Sequence, residues 1–430
     1  MIGIFKAGGK EVEAFINKLA ERNFKGKDTV NRVVAEILEN VKTKGDSAVI
    51  EYTKKFDGVD IEAEDLKVGS SEIDEAYKVV NSELLAVIRR AKDNIEKYHQ
   101  KQLENSWIST EKNGVLLGQL YRPLEVVGVY VPGGTAPLVS SVLMNLIPAK
   151  VAGVDRVVMV TPPGRDGKIN PAILAAAKET GVDEIYRIGG AQAIAALAFG
   201  TETIPKADKI AGPGNIYVAT AKRMVYGYCD IDMFAGPSEI AVVADENANP
   251  KYVAADLLSQ AEHDIMASSI LLTTSEKLAG QVKEEIERQY RYLDRNDIIK
   301  KSLEEYGAAI IVENIEAAVE IVNKIAPEHL ELYIKEPFSI LGSVRNAGAI
   351  FLGSFSSEPV GDYYAGPSHV LPTGGTARFF SPLNAGDFIK KTSIISYTEK
   401  ALLDAKDDIV RFAEAEGLSA HANAIKVRFE

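Results

Sequence analysis

Two parallel sheets with helices on their faces, preceded by a helical segment and followed by a small tail, are what this chain predicts. Three observations predict it. The first hundred residues carry apolar side chains at three- and four-residue spacing. From about Asn113, short β-rich runs alternate with helical stretches, and after Gly236 that alternation starts again before ending near Arg378. Strand–helix alternation marks a parallel sheet, because each crossover between parallel strands needs a covering helix.

In the first region, segments 12–21, 30–43 and 47–55 have the helical period, and 71–102 reads as two longer helices. The second region pairs strand-like 126–131 with helical 140–152, 156–160 with 170–181, and 184–188 with 191–199. The third pairs 240–244 with 251–262, 269–273 with 275–290, and 308–312 with 315–325, and ends on 349–352. The two halves share a rhythm without a residue-level repeat. Two incomplete Rossmann-like sheets account for it, giving an α/β chain with a helical N-terminal region and a small C-terminal tail domain. The tail holds one helix, at roughly 398–416, and is too short to own a core, so it should pack on another domain or another subunit.

Composition narrows the function. A chain of 430 residues has a prior of two or three domains, and 46% hydrophobic with 26% charged residues is ordinary for a soluble globular protein. A net charge of −12 disfavours nucleic acid and anionic membranes, leaving a small molecule as the default partner. Cys229 is the single cysteine, so an intramolecular disulfide and Cys-rich metal sites are excluded. No apolar run has the length of a membrane span, and residues 1–10 lack a signal-peptide pattern, so a cytoplasmic location is expected.

Neither G-x-G-x-x-G nor G-x-x-x-x-G-K-[ST] occurs. Glycine turns do follow three of the strand-like runs: Val131-Pro132-Gly133-Gly134-Thr135, Ile188-Gly189-Gly190-Ala191-Gln192 and Ala211-Gly212-Pro213-Gly214-Asn215. Such turns let backbone N–H groups approach a pyrophosphate, although any α/β protein also needs tight strand–helix turns. The 156–160 run ends in Thr161-Pro162-Pro163, with no acid for a ribose hydroxyl, so the residues alone do not choose between NAD and NADP.

There are five histidines, and four stand in short polar stretches: His263 after Gln260-Ala261-Glu262, His329 after Glu328, His369 after Gly366-Pro367-Ser368, and His421 after Glu416-Gly417-Leu418-Ser419-Ala420. Gln260 and His263 are three apart at a helix end and share a face. With Asp362, expected in the glycine- and proline-rich loop around Val360-Gly361-Asp362-Tyr363-Tyr364, and His421 they would form an N/O site for a borderline divalent cation. A surface His263 capping its helix is the plainer alternative. Glu328-His329 suits proton transfer, with histidine to deprotonate an alcohol and the carboxylate to activate water, or else forms an ordinary polar loop. His99, among charged helical residues, is expected on the surface, and Cys229 is expected to be a buried structural thiol.

Together, Ile231-Asp232-Met233-Phe234-Ala235-Gly236-Pro237-Ser238-Glu239, the Gln260…His263 pair, Ala326-Pro327-Glu328-His329-Leu330 and Glu416…Ala420-His421 resemble the histidinol dehydrogenase family, over roughly residues 56–421. The resemblance implies oxidation of L-histidinol to L-histidine through the aldehyde, with two NAD⁺ and one zinc ion per site, as the last step of histidine biosynthesis. It implies zinc on Gln260, His263, Asp362 and His421, with His329 taking protons and Glu328 activating water. It implies that Ser238, His369 and Glu416 bind substrate together with His329 and the zinc ligands, and that Tyr130, Gln192 and Asn215 contact NAD⁺. A homodimer with interlocked C-terminal segments follows, in which Glu416 and His421 enter the neighbour's site. The domain boundaries are then a helical arm at 1–24, a first Rossmann-like domain at 25–108 with 238–382, a second, NAD-contacting one at 109–237, and a tail at 383–430. Two rival readings are a zinc hydrolase, although H-E-x-x-H is absent, and a non-catalytic metal- or nucleotide-binding module.

Overall fold

The computed structural model describes residues 2–22, 27–133, 138–182, 184–234 and 236–430. Of the motifs above, Gly134-Thr135 and Ala235 lie outside the described residues. Two compact units divide the chain, one formed by residues 1–102 and 124–388, the other by 103–123 and 389–430.

The first unit holds two all-parallel sheets. The larger runs Gly3–Lys6, Gly307–Ile311, Ser268–Thr273, Glu239–Ala244, His329–Tyr333, Ala349–Leu352 in spatial order. Its N-terminal strand aside, the order is third, second, first, fourth, fifth along the chain. The smaller sheet repeats that order with Ile185–Tyr186, Arg156–Val160, Val126–Tyr130, Lys209–Ala211 and Asp230–Ile231. A common strand order explains the shared rhythm of the two halves. The helical reading of the first hundred residues misses Gly3–Lys6, a four-residue edge strand, because the apolar run that marks it, Ile2-Gly3-Ile4-Phe5, is short and pairs with Gly307–Ile311, far away in sequence.

Alternation builds the larger sheet's two faces. Ile240, Val242, Ala244 and Leu271 point to the side covered by helices Pro250–Ala261, Glu276–Gln289 and Asn296–Tyr306. Ala241, Val243, Ile270, Leu272, Leu330 and Leu332 point to the side covered by helices Lys10–Arg22 and Ile315–Ile325. In the smaller sheet, Val158, Val160 and Ile210 pack under helices Lys27–Lys44, Asp46–Asp57, Gly190–Phe199 and Ile216–Val225.

The second unit is an antiparallel sheet of Ile389–Ser396, Leu116–Pro123 and Trp107–Thr110, followed by helices Glu399–Ala415 and Ser419–Lys426. Thr398 caps the longer helix, accepting from the Ala401 N–H at 3.2 Å. Its buried apolar cluster is small, namely Val410, Ala413 and Ala422, while Trp107, Ile108, Ile395 and Phe412 are exposed.

Candidate active site

Glu328 and His329 stand where the strand His329–Tyr333 begins, at the amino edge of the larger sheet. Open parallel sheets usually bind ligands at the carboxyl edge, so strand order alone would have pointed to the opposite side. The local sequence makes the delivery. Ala326 ends the preceding helix in the left-handed region (φ 53°), and Pro327 cannot continue that helix. Both catalytic candidates are buried. Glu328 Oε2 accepts from the Glu239 backbone N–H at 3.0 Å, and His329 Nδ1 lies 3.1 Å from the Glu239 carbonyl. With Nδ1–H donating to that carbonyl, Nε2 faces the site; it is buried without a hydrogen-bond partner, 3.6 Å from Asp362 Oδ1.

Burial pushes the Glu328 carboxyl up to about 7, against the opposing pull of His329. Burial by itself would lower His329, but the carboxylates of Glu328, Glu358 and Asp362 outweigh it and hold the imidazole well above its ordinary value. A cation on Asp362 would take one of those charges out of the balance, bringing His329 toward the neutral form that a proton acceptor needs.

Gln260 occupies the last turn of helix Pro250–Ala261, and His263 lies just beyond it, its N–H bonded to the Gln260 carbonyl at 3.2 Å. Gln260 is fully buried, yet neither polar atom of its amide has a partner. An orphaned buried amide is costly unless something binds it. His263, Glu358 and Asp362 each offer one ligand atom, all within 4.8 Å of one another. Asp362 lies in the short helix Glu358–Tyr363 rather than in a loop. These donors, imidazole nitrogen and carboxylate and amide oxygens, fit a borderline divalent cation. His369 completes the wall: Nδ1 bonds the Asp362 carbonyl at 3.1 Å and Nε2 lies 3.3 Å from Ser141 Oγ, on helix Val139–Val151 beside the smaller sheet. Ser238 precedes Glu239 and is half-buried.

Tyr130, Gln192 and Asn215 gather at the carboxyl edge of the smaller sheet, where ligands are expected. The strand order reverses between Val126–Tyr130 and Lys209–Ala211, and the turns after both strands carry glycines. At Gly212 (φ 114°) an added Cβ would fall 2.1 Å from the Tyr130 carbonyl, so only glycine fits. The Tyr130 hydroxyl accepts from the Gly190 N–H at 3.2 Å, and burial pushes its pKa up to about 12. Gln192 Oε1 and Thr161 Oγ1 are buried without partners. The Asn215 side chain caps the next helix, accepting from Tyr217 N–H and Val218 N–H at 3.0 and 3.1 Å.

This chain matches the family model described as histidinol dehydrogenase over residues 20–429. It is 55% identical over 430 residues to the histidinol dehydrogenase of Clostridium acetobutylicum, covering 100% of this chain and 99% of that one. To that of Caldanaerobacter subterraneus subsp. tengcongensis it is 58% identical over 421 residues, covering 98% and 97%. The crystal structure of histidinol dehydrogenase from Elizabethkingia anophelis superposes with a TM-score of 0.94 at 42% identity, covering 99% of this chain and 98% of that one. The chain belongs to the histidinol dehydrogenase family.

Within this histidinol dehydrogenase fold, the first unit brings Gln260, His263, Glu328, His329, Asp362 and His369 together, whereas Glu416 and His421, both exposed, belong to the second unit. Three residues escaped the sequence reading. Glu358 is buried, 3.8 Å from His263, with its carboxyl pushed up to about 8 chiefly by burial. Glu239, within the quoted motif, orients both catalytic candidates through its backbone. Asp57, the last residue of helix Asp46–Asp57, has a buried, unpartnered Oδ2, sits close enough to act electrostatically on Tyr130, and is pushed up to about 6 by burial. It is an acid near Tyr130 that comes from a helix far from Thr161-Pro162-Pro163 in sequence. One expectation fails: His99 is fully buried, its Nδ1 2.7 Å from Gln102 Oε1, because it falls on the inner face of helix Ser82–Gln100 with Leu85, Ile88, Ala91 and Ile95. Cys229 is buried, and its thiol is pushed up to about 12 by desolvation.

Proposed function

We propose that this chain oxidises L-histidinol to L-histidine through the aldehyde, reducing two NAD⁺ and holding one zinc ion per site. The observation that carries the reading is the buried Glu328–His329 pair with His329 Nε2 3.6 Å from Asp362, a residue that also clusters with His263 and Glu358 as possible metal ligands, together with the fully buried Gln260 amide whose two polar atoms have no partner.

Gln260, His263 and Asp362, with His421 from a second copy, would hold zinc, which would anchor the imidazole and amino nitrogens of the substrate. NAD⁺ would accept two electrons in each of the two oxidation steps, held at the smaller sheet's carboxyl edge by Tyr130, Gln192 and Asn215, with Asp57 receiving a ribose hydroxyl hydrogen bond. The rest falls to this chain's own side chains. His329 takes the alcohol proton on Nε2, its ring held by the Nδ1–H bond to Glu239. Glu328 removes a proton from the water that attacks the aldehyde, and a pKa near 7 suits a base working at neutral pH. His329 takes the next proton, while His369, Ser238 and the second copy's Glu416 bind the substrate. Keeping the aldehyde in one pocket avoids releasing a reactive intermediate.

The same reading makes the active unit a homodimer. Its support is the second unit's small core and exposed Trp107, Ile108, Ile395 and Phe412, an apolar surface that a partner would cover. None of the helices among the described residues is long and apolar enough to cross a membrane, and with the charge balance we place the enzyme in the cytoplasm. The test is NADH formation at 340 nm from L-histidinol and NAD⁺, before and after chelation and zinc restoration. Two NADH per histidinol, lost with the metal and regained with zinc, is the expected result. Absence of NADH from folded, metal-loaded protein would reject the substrate.

A further inference from the structure

We propose that Arg22 is a positioning residue that fixes the Glu328–His329 pair relative to the turn carrying His263; the proposal rests on the roles given to those residues above. Arg22 ends the helix Lys10–Arg22, and its side chain is completely buried. Its guanidinium forms an ion pair with the Glu239 carboxylate and donates from Nη1 to the Met266 carbonyl at 2.7 Å, lying 5.5 Å from the centre of the Tyr306 ring.

Both segments it grips carry part of the site. Glu239 opens the strand Glu239–Ala244, and its backbone bonds Glu328 at 3.0 Å through N–H and His329 at 3.1 Å through C=O. Met266 closes the 262–267 turn that bears His263, its own N–H donating to Asp264 Oδ1 at 2.8 Å. One planar group thus ties the backbone that aims the catalytic pair to the backbone that presents a metal ligand.

Stability is a poor reason for this arrangement. A buried Arg–Glu pair must overcome the desolvation of both charges, and a well-packed apolar pair of similar volume is often as stable. Arg22 Nε is also buried without a partner, a further cost. Geometry is the better reason: a guanidinium presents several donors in a rigid plane and can bond two acceptors at a fixed spacing, which an ammonium cannot reproduce.

The experiment compares Arg22→Met, Arg22→Lys and Arg22→Met/Glu239→Gln with wild type as the zinc-loaded full-length enzyme. Zinc content, melting temperature, and kcat and KM for histidinol and for the aldehyde are measured. Arg22→Met should lower kcat in both steps by about 10- to 100-fold, the scale of a small misplacement of reacting groups. KM for histidinol should move by less than about threefold, and zinc should stay bound, since Gln260, His263 and Asp362 are untouched. Arg22→Lys, able to keep only one of the two grips, should fall between. The double variant removes the stranded buried carboxylate, so its melting temperature should recover while kcat stays low. Recovery of kcat in step with melting temperature would reduce Arg22 to a stabilising residue and overturn the proposal. So would near-wild-type kcat in folded Arg22→Met. Should Arg22→Met not fold, the double variant alone decides, by low or normal turnover at normal KM. Failure of the wild type to oxidise histidinol would instead strike the proposed function.

Discussion

Replacing Glu328 by Gln should make the metal-free protein more stable at pH 8 while disabling aldehyde oxidation. Burial raises the carboxyl from its ordinary 4.5 to about 7. A carboxyl raised in the folded state contributes stability below its unfolded pKa and loses it as pH rises through the folded one, so the loss runs from about pH 4.5 to about pH 7. The two values differ by an amount equivalent to roughly 3 kcal/mol. Glutamine is isosteric, can still accept from the Glu239 N–H, and titrates nowhere, so it escapes this loss. Glu328 is also one of the carboxylates that hold His329 protonated, so the net gain falls below that ceiling. With an unfolding entropy of about 2.1 cal/mol/K per residue, the ceiling corresponds to about 3 °C in a chain this long. Melting temperatures of chelated wild type and Glu328→Gln between pH 4 and 8 provide the assay. The curves should meet near pH 4 and separate by pH 7, while water activation falls by about 10²- to 10⁴-fold and alcohol oxidation is hurt less. A Gln variant no more stable than wild type at pH 8, or a gap unchanged by pH, would refute the argument that burial of this charge is costly.

Other outcomes follow from the same geometry. His329→Asn should lower turnover by about 10²- to 10⁴-fold with histidinol binding retained, measured by steady-state kinetics and by titration calorimetry. His421→Asn should lose zinc, read by metal analysis. Mixed with His329→Asn under conditions of subunit exchange, it should regain about a quarter of wild-type activity, because heterodimers then hold one intact site; no regain would place His421 in its own subunit's site. Asp57→Asn should raise KM for NAD⁺ by about 10-fold or more without changing KM for histidinol, as expected for loss of one charged hydrogen bond. An unchanged KM for NAD⁺ would remove Asp57 from the cofactor site.

The sequence by itself settled the α/β class, because the alternation of short apolar runs with 3.6-period segments is a local pattern that each buried strand and its covering helix must show. It also settled the family, since Glu328-His329, Gln260…His263 and the Ile231–Glu239 run are short motifs readable without contacts. Only the tertiary structure decided where those motifs meet. The candidate site lies at the amino edge of the larger sheet, because Ala326-Pro327 turns the chain so that Glu328 precedes the strand and His329 opens it, and a strand pattern carries no sign of which end will bind. Glu358, Asp57 and Arg22 were invisible for a related reason. Each is an ordinary charged residue at a helix end, and its significance comes from burial against partners remote in sequence: His263 for Glu358, Tyr130 for Asp57, Glu239 for Arg22. His99 shows the converse: its neighbours Lys97 and Lys101 are charged, but helical geometry turns it onto the face of Leu85, Ile88 and Ile95 and out of water. Periodicity fixes which residues share a face, while packing decides which face is buried and what a buried charge meets there.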